Sequence, residues 1–274
     1  MIEKAVEPND DGLEIAKRMA EEEEGMGRRP KGWGRWLIPS IAVCWSLFQL
    51  SIASWLIIDS TFTRSIHLAF ALLIVYLNYP LFKHPKFGIA YFSATDRIPI
   101  LDLVISVIAA VSALYIALDY DGLVMRYGAP ITRDLISGSA LVILLLEAAR
   151  RVIGPALPVI AIAFCLYAFL GPYMPDLIAF KGVSLNRFMG QMTMSTEGIY
   201  GIPLDVSATI VFLFVLFGAM LDKAGAGQYF IRLALSLLGG FKGGPAKAAI
   251  MGSGLTGLVS GSSIANIVTT GTFT

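Results

Sequence analysis

The chain has 274 residues, 56% of them hydrophobic and only 15% charged, where an average soluble domain carries about 25% charged residues. Of the 41 charged side chains, 16 fall in residues 1–36, which leaves uncharged runs of the roughly 20 residues that a helical membrane span needs. A formal net charge of +1, with no Lys/Arg cluster interleaved with aromatics, argues against nucleic acid as a partner.

The N-terminus does not read as a secretory signal, which would open with a short basic region and a 7–15-residue apolar core. Here a charged stretch comes first, with the acidic run Glu21–Glu24, and residues 1–36 are predicted to be a cytosolic tail. Span one is predicted at Leu37–Ile58, uncharged, with Trp33, Trp36 and Trp55 near its ends, where amphipathic rings favour the membrane interface. Span two follows at Ser65–Phe82 between Arg64 and Lys83, and span three at Ile98–Leu118 with one acid, Asp102. Span four, about Ile131–Ala149, is trimmed by Asp134 and Glu147, and span five lies within Val152–Pro175. Asp176–Pro203 is too polar to cross. Within it, Ser184–Ile199 sets Leu185, Phe188, Met189, Met192 and Ile199 against Arg187 and Glu197, as in a helix lying in the interface. Span six is Val206–Leu221. Gly225 and Gly227 mark a helix end, and Gln228–Leu238 is apolar but too short to cross.

Lys and Arg in short loops favour the cytoplasm. An inside N-terminus places 13 of them inside and 5 outside, so this orientation is expected, with Ser184–Ile199 on the outer face. Asp102 and Glu147 fall near predicted cytoplasmic ends, where hydration is accessible, which favours a structural role over a functional one. His67 is expected to be an interfacial polar residue near the outer face, with no acid or second His to make it a ligand. Cys44 and Cys165, far apart and without neighbouring His, are expected to be small buried hydrophobes. With His67 and His84 the only histidines and no paired carboxylates in the spans, no enzyme constellation emerges.

The final segment is of a different kind. Phe241–Pro245 reads as a turn, and Ala248–Thr274 then holds five Gly, four Ser and five Thr in 27 uncharged residues. In Ser260-Gly261-Ser262-Ser263, Gly relaxes the backbone and the hydroxyls compete for its hydrogen bonds. Backbone groups freed there must face protein or a wet cavity rather than lipid. A helix from Lys247 to Ser260 would be about 20 Å long at 1.5 Å per residue, which reaches the middle of a roughly 30 Å hydrocarbon core. A re-entrant hairpin is therefore expected, with its tip at Ser260–Ser263. Freed carbonyls, hydroxyls and the Asn266 side chain would offer hard oxygen ligands to Na⁺, with Ser260, Ser262 and Asn266 as candidates. Thr269 and Thr270 are further candidates for ion or substrate binding. The other reading is tight helix packing through Gly257-x-x-x-Gly261.

The run from GIPLDVSATIVFLFVLFGAMLDKAGAG through GLVSGSSIANIVTTGTFT resembles the large membrane subunit of the tripartite ATP-independent periplasmic (TRAP) transporters, most clearly over about 150–274. The order of spans resembles the TAXI type, in which a small four-helix subunit is fused ahead of the large, DctM-like one. The resemblance implies an all-α polytopic membrane protein with about six transmembrane helices, an interfacial helix and the first re-entrant hairpin of an elevator-type transporter. It implies residues 37–151 as the small-subunit part and 152–274 as the beginning of the permease domain. Further implications are Na⁺ as coupling ion, a small organic anion as substrate, a periplasmic solute-binding protein as partner, and a bacterial or archaeal inner membrane as location. Ser260, Gly261, Ser262, Ser263 and Asn266 would form the first hairpin tip. The family's large subunit has about twice as many spans as follow residue 152, so the remaining half of the transporter domain is also an expected partner.

Overall fold

The computed structural model describes residues 27–82, 94–126 and 128–258. Eleven α-helices occur among them: α1 (Gly34–Ser54), α2 (Ser60–Asn78), α3 (Ile100–Leu118), α4 (Tyr120–Met125), α5 (Thr132–Val152), α6 (Ala156–Leu170), α7 (Leu185–Thr193), α8 (Ile202–Val206), α9 (Phe212–Lys223), α10 (Ala226–Leu238) and α11 (Gly244–Gly257). A π-helical turn, Ser207–Val211, joins α8 to α9. Contacts divide the described residues into two compact units, 27–209 and 210–258.

Among the described residues five helical stretches are long and apolar enough to cross a membrane: Gly34–Ser54, Ser60–Asn78, Ile100–Leu118, Ala156–Tyr173 and Ile202–Leu221. The chain is an all-helical, polytopic membrane protein. The expected span four forms a helix, α5, that is not among these five. Its 21 residues give about 31 Å of helix, but Arg133, Asp134, Glu147, Arg150 and Arg151 crowd its two ends. Exposed side chains of α6 include Leu157, Val159, Ile160, Phe164 and Leu166. Such an apolar exterior suits lipid rather than water.

Within 27–209, α2 is the central helix: half of its apolar window is buried, against 6% for α1. The core collects Leu68, Leu72 and Tyr76 of α2, Ala109, Ala113 and Ile116 of α3, and Leu141 and Ala148 of α5. Small residues on α3 let α2 approach closely, as is usual where van der Waals contact drives helix association in lipid.

Several boundaries differ from expectation. Helix α2 starts at Ser60, not Ser65, because Asp59 accepts a hydrogen bond from the Thr61 amide at 2.8 Å and caps it. Helix α1 runs from Gly34 and ends by Trp55. The interfacial helix is shorter than Ser184–Ile199: α7 begins at its Ser184 cap and stops at Thr193. The chain then folds back, and the Ile199 amide donates to the Met192 carbonyl at 2.8 Å. Gly198 permits this, since a Cβ there would lie 2.4 Å from the Gln191 carbonyl oxygen. Neither cysteine is buried: Cys44 is exposed and Cys165 half-exposed, because both lie on outward, lipid-suited helix faces.

Candidate transport site

Helices α9, α10 and α11 lead to the expected hairpin. The α9–α10 junction is Ala224-Gly225, and Gly225 takes φ +87°, a left-handed conformation that glycine adopts without strain. The turn Gly239–Gly243 reverses the chain as expected, with Gly243 at φ +72° and Pro245 in the first turn of α11.

Two observations set the register of α10 on α11. A Cβ on Gly244 would lie 2.4 Å from the Gly239 carbonyl, and one on Gly252 would lie 3.3 Å from Ile231 Cγ1. The helices therefore run antiparallel, joined through buried stripes: Gly227, Ile231 and Ala234 on α10, and Gly244, Ala248, Gly252 and Thr256 on α11. Among the described residues the small-residue packing seam lies on these positions; Gly261 of the Gly257-x-x-x-Gly261 pattern lies outside them.

Helix α11 precedes the expected tip. Its 14 residues give about 21 Å of helix, enough to reach the midplane of a roughly 30 Å core. Ser260, Gly261, Ser262, Ser263, Asn266, Thr269 and Thr270 lie outside the described residues, as does His84. Among the described residues no group of three or more His, Cys, Asp or Glu is placed to hold a metal ion.

What sequence reading did not foresee is a pair of polar clasps at opposite ends of α3. At one end, the two carboxylate oxygens of Asp102 are divided between Arg28 and Arg151. Arg28 Nη2 donates to Oδ2, and Arg151 Nη1 donates to Oδ1 at 2.9 Å. All three side chains are at most 3% exposed. Arg28 also donates to the carbonyls of Tyr76 and Leu77, and Arg151 to that of Tyr79. These are the carbonyls left unpaired where α2 ends. Glu147 extends the network to Arg150 at 2.7 Å and Arg151 at 2.9 Å. Burial pushes the Arg28 guanidinium below its usual pKa, while hydrogen bonding and the charge of Asp102 oppose that shift. The acids flagged in sequence thus join the segment before α1 to the ends of α2, α3 and α5.

At the other end, fully buried Asp134 accepts from the Tyr115 hydroxyl, from the Ile131 amide at 3.0 Å and from Arg126 at 3.2 Å. Arg126 and Arg133 share Asp119 at 2.6 and 2.5 Å. Nearby, Arg64 binds Asp205 at 2.9 Å and the Tyr200 carbonyl at 2.7 Å. The buried Tyr200 hydroxyl donates to the Ala113 carbonyl at 2.8 Å, and burial pushes that phenol upward in pKa. This anchors the start of the Ile202–Leu221 span to α2 and α3.

His67 is buried among protein side chains. Because α2 begins five residues early, its ring lies two turns inside the helix and is buried. Trp45 Nε1 donates to Nδ1 at 3.3 Å, buried Gln49 lies 2.5 Å from the same nitrogen, and Ser207 Oγ lies 3.3 Å from Nε2. The π-helical turn begins at that serine.

Residues 140–274 match the family model of the tripartite ATP-independent periplasmic transporter, DctM component. The matched stretch opens inside α5, takes in α6 to α11 and runs through Ser260–Asn266. It supports a TRAP transporter membrane subunit, and the family is one of transporters rather than enzymes. No curated protein and no solved structure matches the chain.

Proposed function

We propose that this chain is the fused membrane subunit of a TAXI-type, Na⁺-coupled TRAP transporter that imports an organic anion delivered by a periplasmic solute-binding protein. The observation that carries the reading is the DctM match over 140–274, which includes an arm of mid-membrane length leading into a Gly/Ser-rich tip. In this reading the protein sits in the inner membrane with its N-terminus in the cytoplasm. The Arg28–Asp102–Arg151 clasp then faces the cytoplasmic side and α7 the outer side. Na⁺ is held by oxygens of Ser260, Ser262 and Asn266, and Gly261, Ser263, Thr269 and Thr270 complete the ion and substrate region.

The deciding experiment is uptake into proteoliposomes by the complete transporter with its binding protein. Uptake should require a Na⁺ gradient, and Ser262→Ala and Asn266→Ala should abolish it or raise the Na⁺ requirement. Unchanged uptake when K⁺ replaces Na⁺ would overturn the coupling. Full activity of both variants would return the tip to a packing role.

A second reading concerns residues 27–209 alone. Their charge clasps at both ends of the α2–α3–α5 core suit a rigid scaffold or assembly module. Truncation of α1–α5 would then abolish transport even though substitutions at the tip leave it intact.

A further inference from the structure

Thr256 stands out among the helical hydroxyls. Thr193 and Thr209 each donate to the carbonyl four residues earlier, at 2.9 and 2.8 Å, the usual way for a threonine to satisfy itself in a helix. Thr256 is 6% exposed, and its Oγ1 is buried without a hydrogen-bond partner. Native structures rarely leave such an atom unpaired, and each case calls for a physical explanation.

The register indicates what it faces. Gly244 meets Gly239, and eight residues further along each helix Gly252 meets Ile231. One turn beyond, Thr256 falls opposite buried Gly227, in the first turn of α10. That turn has no side-chain cap, because Gly225 occupies the cap position. The first intrahelical bond there runs from the Tyr229 amide to the Gly225 carbonyl at 3.1 Å. The amides of Ala226, Gly227 and Gln228 precede it and are left as donors. They stand at the positive end of the 13-residue helix dipole.

We infer that the Thr256 hydroxyl and the uncapped first turn of α10 form an oxyanion site that takes a carboxylate oxygen. Amides at a helix N-terminus favour an anion, and a buried hydroxyl without a partner of its own adds one donor. The assignment of a carboxylate rests on the proposed organic-anion substrate; the existence of an oxyanion site does not.

The test uses the purified full chain in detergent, with melting temperature followed against sodium acetate at constant Na⁺ and ionic strength, balanced by chloride. Wild type and Thr256→Ser should rise in melting temperature with acetate. Thr256→Val should need about tenfold more acetate for the same rise, the loss of about one hydrogen bond to a charged group. Without acetate, Thr256→Val should melt no lower than wild type, because a methyl replaces an unpaired hydroxyl. Equal acetate responses in wild type and Thr256→Val, no response in either, or a lower melting point for the valine variant would each overturn the site. These readouts involve no transport, so a failure of Na⁺ coupling in the uptake assay would leave them standing.

Discussion

Asp102→Asn is the most searching test of the fold. The carboxylate is the shared counter-charge for Arg28 and Arg151, and all three side chains are at most 3% exposed. The asparagine is nearly isosteric, so packing is kept and only the charge is lost. Arg151 retains Glu147 at 2.9 Å, but the partners left to Arg28 among the described residues are the uncharged carbonyls of Tyr76, Leu77 and Ala94. Breaking a buried pair by removing one partner costs about 3–5 kcal/mol. At roughly 2–4 °C per kcal/mol for a chain of this size, the melting temperature in detergent should fall by about 6–20 °C. The double variant Arg28→Met, Asp102→Asn should recover part of that loss, because the uncompensated cation is gone. A single variant melting within a degree or two of wild type would refute the buried network as a determinant of stability. So would a double variant less stable than the single one.

Other consequences follow from the same contacts. Gly138→Ala places a Cβ 2.4 Å from Thr193 Oγ1 and should displace α7, costing about 1–3 kcal/mol as overpacking, read by thermal unfolding. Gly252→Val drives α10 from α11 at Ile231 and should abolish uptake with a loss of similar size; normal uptake would refute the helix register. Tyr200→Phe removes one hydrogen bond to Ala113, which still accepts from Ser65 at 3.0 Å, so the expected loss is only about 0.5–1.5 kcal/mol. For orientation, a cysteine at Asn186 should react with an impermeant maleimide from outside intact cells, and one at Lys242 only after permeabilisation. The reverse pattern would invert the proposed topology.

The class of the protein and most of its apolar spans were legible in the sequence because a bilayer imposes a length and a composition on each helix. The runs at 37–58, 98–118 and 206–221 announce themselves without reference to any neighbour. A turn near Phe241–Pro245 was legible for a similarly local reason, since glycine and proline punctuate the backbone wherever they stand, although the turn lies at 239–243 and Pro245 already belongs to α11. Charge in a span is a different matter, because its meaning depends on a partner distant in sequence. Arg64 reads as a boundary until Asp205, 141 residues away, neutralises it and lets α2 begin at Ser60. Asp102 and Glu147 read as isolated acids until Arg28 and Arg151 meet them across three helix ends. His67 reads as a lone polar residue until Trp45, Gln49 and Ser207 enclose it. The unpaired hydroxyl of Thr256 has no sequence signal at all, because whether a threonine satisfies itself within its own helix or faces another is decided only when two helices pack.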